Sequence, residues 1–260
     1  MIKAAFFDID GTLVSLKSKV YPPSTAVALE RLRQNGVLLF VATGRSRFEI
    51  KSEHLLDGLH FDGMLTNNGQ DAYDENGNRL YGRPILPAEA EAIINWANAH
   101  NIGCWAAGAD KICINACTPC VARSLEAIHT RLPEIADLRS MLHRPIYKIV
   151  FFATRAELEE TMRLAPHCIA TQWFETGFDI ISNEGGKEVA MAEVLANYGI
   201  APEESIAFGD AENDIAMLRA AGIGVAMGNA TPEAKAAADY VTDDCDDDGL
   251  LQALEHFSLI

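Results

Sequence analysis

Asp8 and Asp10 follow the apolar run Ala4-Ala5-Phe6-Phe7 and precede Gly11 and Thr12. Residues two apart in an extended chain project from the same face, so this spacing predicts side-by-side carboxylates at a strand end. Gly11 lets the chain turn back over them. One carboxylate can attack while the other moves a proton. Two adjacent anions held away from water repel unless a cation lies between them or one binds a proton, and either remedy serves phosphoryl transfer. Asp-Gly-Thr also makes an ordinary strand cap and turn, so this short motif needs support from the rest of the chain.

Three further segments carry polar groups that fit the same chemistry. Thr43-Gly44-Arg45 follows the apolar run 37–42 and is expected to open a helix, where a hydroxyl and free N–H groups can hold phosphate oxygens. Lys187 follows Asn183-Glu184-Gly185-Gly186 and opens another predicted helix, from which its ammonium can neutralise a phosphate and an attacking carboxylate together. Phe208-Gly209-Asp210-Ala211-Glu212-Asn213-Asp214 ends an apolar run with acids four residues apart. On the opening turn of a helix, Asp210 and Asp214 lie near one face, and their oxygens suit a hard cation such as magnesium.

The elements that must position these groups are read from apolar runs and punctuation. Strands are predicted at 3–9, 37–42 and 61–66, with helices at 24–35 and 46–56 between them. Near the other end, strands are predicted at 205–208 and 223–226, and helices at 187–199, 212–221 and 231–238. This alternation predicts a doubly wound parallel sheet with helices on both faces, whose ligands gather at the carboxyl edge of the strands. The middle of the chain reads differently. Pro84 and Pro87 introduce helical periodicity at 87–100 and 154–165 and apolar pieces at 146–152, 169–173 and 178–181, which predict an inserted α+β unit. The expected core is 1–83 with 184–260, and the expected insertion is 84–183. An acidic run over 243–248 is read as a solvated loop, with Asp248 as the N-cap of a helix beginning near Gly249.

Composition narrows the partners. The chain has 260 residues, 49% of them apolar, with 37 acidic and 21 basic residues and a formal charge of -16. That charge, without a Lys/Arg cluster, argues against nucleic acid. No run has the length needed to cross a bilayer and no secretory start is apparent, so no membrane association and a cytoplasmic location are expected. Among six cysteines, Cys113, Cys117 and Cys120 lack a fourth ligand at a zinc-finger distance, and reduced thiols are expected. None of the seven histidines lies in a motif.

Taken together, DxDGTL at 8–13, TGR at 43–45, Asn67-Asn68-Gly69, Lys187 and GDxxNDxxML at 209–218 resemble the haloacid dehalogenase superfamily. Within it, the chain is similar to the Cof-type branch, which carries a large cap between the second and third motifs. The segments 226–230 and 235–242 share that likeness. The resemblance implies a Rossmann-like core with an inserted α+β cap, and a Mg2+-dependent phosphatase acting on a small phosphorylated metabolite such as a sugar phosphate or phosphorylated cofactor.

Carried over by position, the resemblance implies that Asp8 becomes an aspartyl phosphate and that Asp10 serves as acid and then base. Magnesium would lie on the Asp8 carboxylate, the Asp10 carbonyl and Asp210, with Asp214 behind them. Thr43, Gly44 and Lys187 would grip the phosphate, Asn213 would lie near it, and Arg45 would brace the site or touch substrate. Trp96, Trp105, Arg123, His129, Arg131, His143, Arg144, Lys148, Trp173 and Phe174 are cap candidates for contact with the leaving group. A phosphomutase using the same aspartyl phosphate, or a silent ligand-binding regulator, are the alternatives. A monomer or homodimer is expected.

Overall fold

A computed structural model describes residues 1–127 and 130–260. Along the chain run β1 (Ala4–Phe7), α1 (Pro23–Gln34), β2 (Leu38–Ala42), α2 (Arg47–Ser52), β3 (Gly63–Thr66), β4 (Asp71–Asp74) and β5 (Arg79–Gly82). The middle holds α3 (Pro87–Ala99), β6 (Gly103–Ala107), β7 (Ile112–Ile114), α4 (Pro119–Ala127), β8 (Glu134–Ile135), β9 (Lys148–Phe152), α5 (Arg155–Met162), β10 (Cys168–Phe174) and β11 (Gly177–Ser182). The last part holds α6 (Lys187–Tyr198), β12 (Ser205–Gly209), α7 (Ile215–Ala220), β13 (Ile223–Ala226), α8 (Pro232–Ala237), β14 (Tyr240–Val241) and α9 (Gly249–His256).

Two compact units result. The first comprises Met1–Arg45, Glu49–Tyr81 and Gly186–Ile260, and the second Ser46–Phe48 and Gly82–Gly185. In the first sheet the strand order is β14-β13-β12-β1-β2-β3-β4-β5. All pairings from β14 to β3 are parallel, and β3 pairs antiparallel with β4. Period-two alternation sends adjacent residues to opposite faces. Ala5, Phe7, Leu39, Val41 and Phe208 pack with Leu32 of α1 and Leu254 of α9. Ala4, Phe6, Phe40 and Ala207 pack with Met191 and Leu195 of α6 and Leu218 of α7. Both faces are therefore apolar, and the parallel strands read as continuous apolar runs.

The second unit has a six-stranded sheet in the order β10-β11-β9-β6-β7-β8. Its pairings are antiparallel from β10 to β7, and β7 with β8 is parallel. Ile93, Ile94 and Ala97 of α3 and Leu158 of α5 cover one face through Ile149, Phe151 and Ile180. Val121 and Leu125 of α4 pack on Trp105, Val150 and Phe152 on the other. The chain is thus α/β, with a doubly wound core sheet and an α+β second unit.

Several elements differ from expectation. The strand expected at 3–9 ends at Phe7, and the helix expected at 46–56 ends at Ser52, where His54 turns left-handed at φ 57°. A 3-10 turn at Glu212–Asp214 precedes α7, in place of a single helix. Asp248 is not the side-chain cap of α9: its own backbone is left-handed at φ 60° and its carboxylate caps nothing there. Asp244 caps the preceding 3-10 turn instead, accepting from Asp246 N at 2.9 Å.

Candidate active site

The polar motifs meet where the parallel strands of the first unit end. Asp8 follows β1, with its N–H donating to Phe208 O of β12 at 3.0 Å. The chain then closes a tight loop, Gly11 N donating to Val14 O at 2.8 Å and Val14 N to Ile9 O at 2.8 Å. Gly11 has φ +88°, and a Cβ there would meet the carboxylate of Asp210. Only glycine satisfies both demands, since the loop needs a left-handed residue and Asp210 needs the space.

At the floor lies a buried lysine between two acids. Lys187 Nζ donates to Asp8 Oδ1 at 2.7 Å and to Asp214 Oδ1 at 2.6 Å, and its side chain is 0% exposed. Asp214 Oδ2 accepts from the N–H groups of Asp210 and Ala211, each at 3.0 Å. Asp214 therefore ties the start of the 3-10 turn to the start of α6. Asp210 Oδ1 accepts from Thr12 Oγ1 at 3.2 Å. The Asn67-Asn68-Gly69 loop approaches this floor closely, because a Cβ on Gly69 (φ +73°) would collide with the backbone of Gly186 and Lys187.

The electrostatics follow from this crowding. Burial pushes the Asp8 carboxyl well above the usual range, and Asp214, Asp210 and Asp10 add to the rise while Lys187 opposes it. Burial, then the charge of Asp214, raise Asp210 to about 7. Burial works against the Lys187 ammonium, but the charges of Asp214 and Asp8 outweigh it and hold its pKa above the ordinary value. Oxygens of Asp8, Asp210 and Asp214 all lie within 4.8 Å of one another. An all-oxygen anionic cluster of this kind is a donor set that a hard divalent cation fits.

The two motif carboxylates take different partners, Asp8 meeting Lys187 and Asp10 meeting Arg45. The strand stops before Asp8, so the alternation rule lapses, and Asp10 turns to Arg45. Arg45 Nε donates to Asp10 Oδ2 at 2.6 Å and Nη2 to Asp10 Oδ1 at 2.8 Å, while Nη1 donates to Glu53 at 2.6 Å. Each guanidinium nitrogen is on a carboxylate. Thr43 is buried, and its N–H donates to Leu65 O at 2.9 Å, so that N–H is not open as expected. Its Oγ1 accepts from Arg45 N at 3.1 Å, leaving its hydroxyl proton to donate. Gly44 approaches Asn68 so closely that a Cβ would meet Asn68 Oδ1, and Asn213 Nδ2 donates to that same oxygen at 2.9 Å.

Thr12, Asn68, Glu53 and Asn229, whose Nδ2 donates to Gly11 O at 2.8 Å, were not singled out by sequence reasoning as site residues. Thr12 and Asn68 lie within quoted motifs. Asn229 lies within the quoted segment 226–230, whereas Glu53 lies in no quoted motif.

Among the leaving-group candidates, Lys148 is buried beside Asp179 at 3.5 Å, and Trp173 Nε1 donates to Asp179 at 3.1 Å. Trp105 is buried with Nε1 unpartnered, Trp96 stacks on His100, and Arg123 pairs with Glu175. Phe174 is half-buried, Arg131, His143 and Arg144 are exposed, and His129 lies outside the described residues. Cys113 is buried, Cys120 half-buried and Cys117 exposed, all as free thiols. Among the described residues no helix is long and apolar enough to cross a membrane.

A doubly wound core with four acids and a lysine at its carboxyl edge defines a class of hydrolases. The chain belongs to the haloacid dehalogenase-like hydrolase family, which it matches over residues 5–254. It is 31% identical to the HMP-PP phosphatase of Klebsiella pneumoniae, covering 99% of this chain and 94% of that protein. The solved structure of the phosphatase BT1666 from Bacteroides thetaiotaomicron is 29% identical, with a TM-score of 0.91 over 100% of this chain and 96% of that one. The subclass IIB sugar phosphatase BT4131 is 32% identical, with a TM-score of 0.85 over 99% of this chain and 100% of that one. A Streptococcus pyogenes relative whose name couples a phosphatase to a peptidyl-prolyl cis-trans isomerase is 28% identical, and the chain spans 54% of its length.

Proposed function

We propose that this enzyme is a magnesium-dependent phosphatase that hydrolyses phosphate monoesters of small metabolites, sugar phosphates or phosphorylated cofactors, through an aspartyl phosphate on Asp8. The observation that carries this reading is the fully buried Lys187 ammonium joining Asp8 to Asp214 beside Asp210. It is supported by the similarity to proteins named for sugar phosphate and HMP-PP hydrolysis.

In the proposed reaction an Asp8 oxygen attacks phosphorus and the ester P–O bond breaks, with Asp10 giving a proton to the departing oxygen. Asp10 then takes a proton from water as the water oxygen attacks phosphorus, releasing inorganic phosphate and restoring Asp8. Lys187, the Thr43 hydroxyl and Gly44 hold the phosphoryl oxygens, over which charge spreads during transfer, and Asn213 fixes Asn68 beside Gly44. The Asp8 carboxylate, the Asp10 carbonyl and Asp210 are the groups that would hold magnesium, with Asp214 positioning Asp210 and Lys187. When bound, the ion supplies positive charge to the phosphoryl oxygens and offsets repulsion among the acids. Arg45 acts here by bracing Asp10. Selection of the leaving group is assigned to the inserted unit.

The test is phosphate release from a panel of sugar phosphates and phosphorylated cofactors, with and without magnesium, for the parent and Asp8→Asn. Magnesium-dependent release by the parent and none by the variant is expected. No release from any compound, or release that survives in Asp8→Asn, overturns the proposal.

A further inference from the structure

Asp10 has one side chain to hold it in place among the described residues, the guanidinium of Arg45. That guanidinium is itself held from behind. Its Nε and Nη2 edge meets both oxygens of Asp10, and Nη1 meets Glu53 Oε2 at 2.6 Å. A guanidinium is planar, so fixing its outer nitrogen fixes the direction of the opposite edge. The backbone of Arg45 is pinned as well, its N–H on Thr43 Oγ1 and its carbonyl accepting from Asn67 N at 2.9 Å. What backbone anchoring leaves free is rotation along the long side chain, and Glu53 is the group that removes it. Glu53 sits just past α2, its N–H donating to Glu49 O at 2.9 Å, so it is carried on a turn continuous with that helix.

We infer that Glu53 is a positioning residue, which through Arg45 aims the Asp10 carboxylate at the oxygen that leaves phosphorus. The inference rests on the proposed phosphatase reaction for its kinetic consequence. A carboxyl group aimed slightly wrong still lies in the site, but proton delivery demands hydrogen-bond reach and alignment. Substrates differ in their need for that proton. An alkyl phosphate expels a poor leaving group and requires it, whereas p-nitrophenyl phosphate expels a stabilised phenolate and does not. Loss of Glu53 must therefore affect the two unequally, which damage to the fold or to phosphate binding would not do.

The experiment compares kcat/KM, which reports the first transfer, for the parent, Glu53→Ala and Glu53→Gln. Glu53→Ala is expected to lower kcat/KM for an alkyl phosphate about tenfold, and for p-nitrophenyl phosphate by less than about twofold. Glu53→Gln keeps an oxygen acceptor for Nη1 and is expected to recover part of the loss. Equal losses on both esters, or no loss on either, overturn the inference. A second readout does not depend on turnover: separate NMR signals for the Arg45 Nη nitrogens in the parent should broaden and draw together in Glu53→Ala as Nη1 loses its partner and the guanidinium turns more readily. If the parent releases no phosphate from these esters or from any compound of the metabolite panel, the phosphatase reading fails, and NMR decides alone. Arg45 signals equally resolved in the parent and Glu53→Ala then overturn the role of Glu53.

Discussion

Lys187→Met asks whether a single ammonium makes this acidic floor tolerable. Methionine keeps an unbranched apolar stem and removes the charge. In the parent, Nζ is 2.7 Å from Asp8 and 2.6 Å from Asp214, and the Lys187, Asp8 and Asp214 side chains are 0%, 8% and 0% exposed. Solvent therefore cannot replace the lost partner. Removing one member of a buried pair costs about 3–5 kcal/mol, because the remaining charge is left uncompensated. At roughly 2–4 °C per kcal/mol for a chain of this size, the melting temperature at pH 8 falls by about 6–20 °C.

The pH dependence carries the sharper test. Burial already raises Asp8 and Asp210, and Lys187 opposes both rises, so its removal raises them further. A carboxyl whose folded pKa exceeds its unfolded value contributes stability at low pH and loses it as pH rises through the folded pKa. The variant's deficit must shrink when the pH is lowered from 8 toward 5, where the stranded carboxylates take protons. Melts of both proteins across that range in EDTA measure it. A deficit equal at both ends, or a variant as stable as the parent at pH 8, refutes the reasoning.

Four other outcomes are expected. Asp8→Asn lowers phosphate release at least ~10³-fold in a coupled assay while the circular dichroism spectrum is kept. Without metal, Asp210 at about 7 against an ordinary 3.8 means stability falls as pH rises from about 4 through 7, by up to roughly 4 kcal/mol; calorimetry should show magnesium raising the melting temperature more at pH 8 than at pH 5. Gly11→Ala forces a side chain onto φ +88° and into Asp210, costing about 1–3 kcal/mol and weakening magnesium binding in titration calorimetry. Asp71→Asn weakens the buried anchor of the Asn67-Asn68-Gly69 loop, where Thr66 Oγ1, Asn67 Nδ2 and Tyr73 Oη donate to one carboxylate; urea unfolding should read a loss of about 1–3 kcal/mol.

The fold was legible where an element is both covered on each side and built from bulky apolar residues. Ala4 to Phe7, Leu38 to Ala42 and Ser205 to Phe208 form near-continuous apolar runs because helices cover each face, and their alternation with helical segments marks parallel strands. β4 was missed because its termini are Asp71 and Asp74, and the donors that let Asp71 lie in the interior, Thr66, Asn67 and Tyr73 among them, are announced by no local pattern. β6, with Gly103, Cys104, Ala106 and Ala107, lacks the branched residues that signal a strand. At the site, Asp8, Lys187, Asp210 and Asp214 stood out because each follows or opens a periodic segment. Asp10 and Arg45 stood out as well, but Glu53 did not, since the ion pairs that join these three depend on the turn after β1 and the early end of α2.

The central strand has a consequence for synthesis of the protein. β1 pairs with β2 on one side and with β12 on the other, so the second neighbour leaves the ribosome only after the whole inserted segment has been translated. A nascent chain ending before Gly186 exposes one edge of β1 and carries Asp8 without its ammonium. Such intermediates are open to wrong strand pairing, and chaperone capture should be greatest while residues 82–185 are emerging. The last third of the polypeptide therefore both completes the acidic floor and seals the sheet.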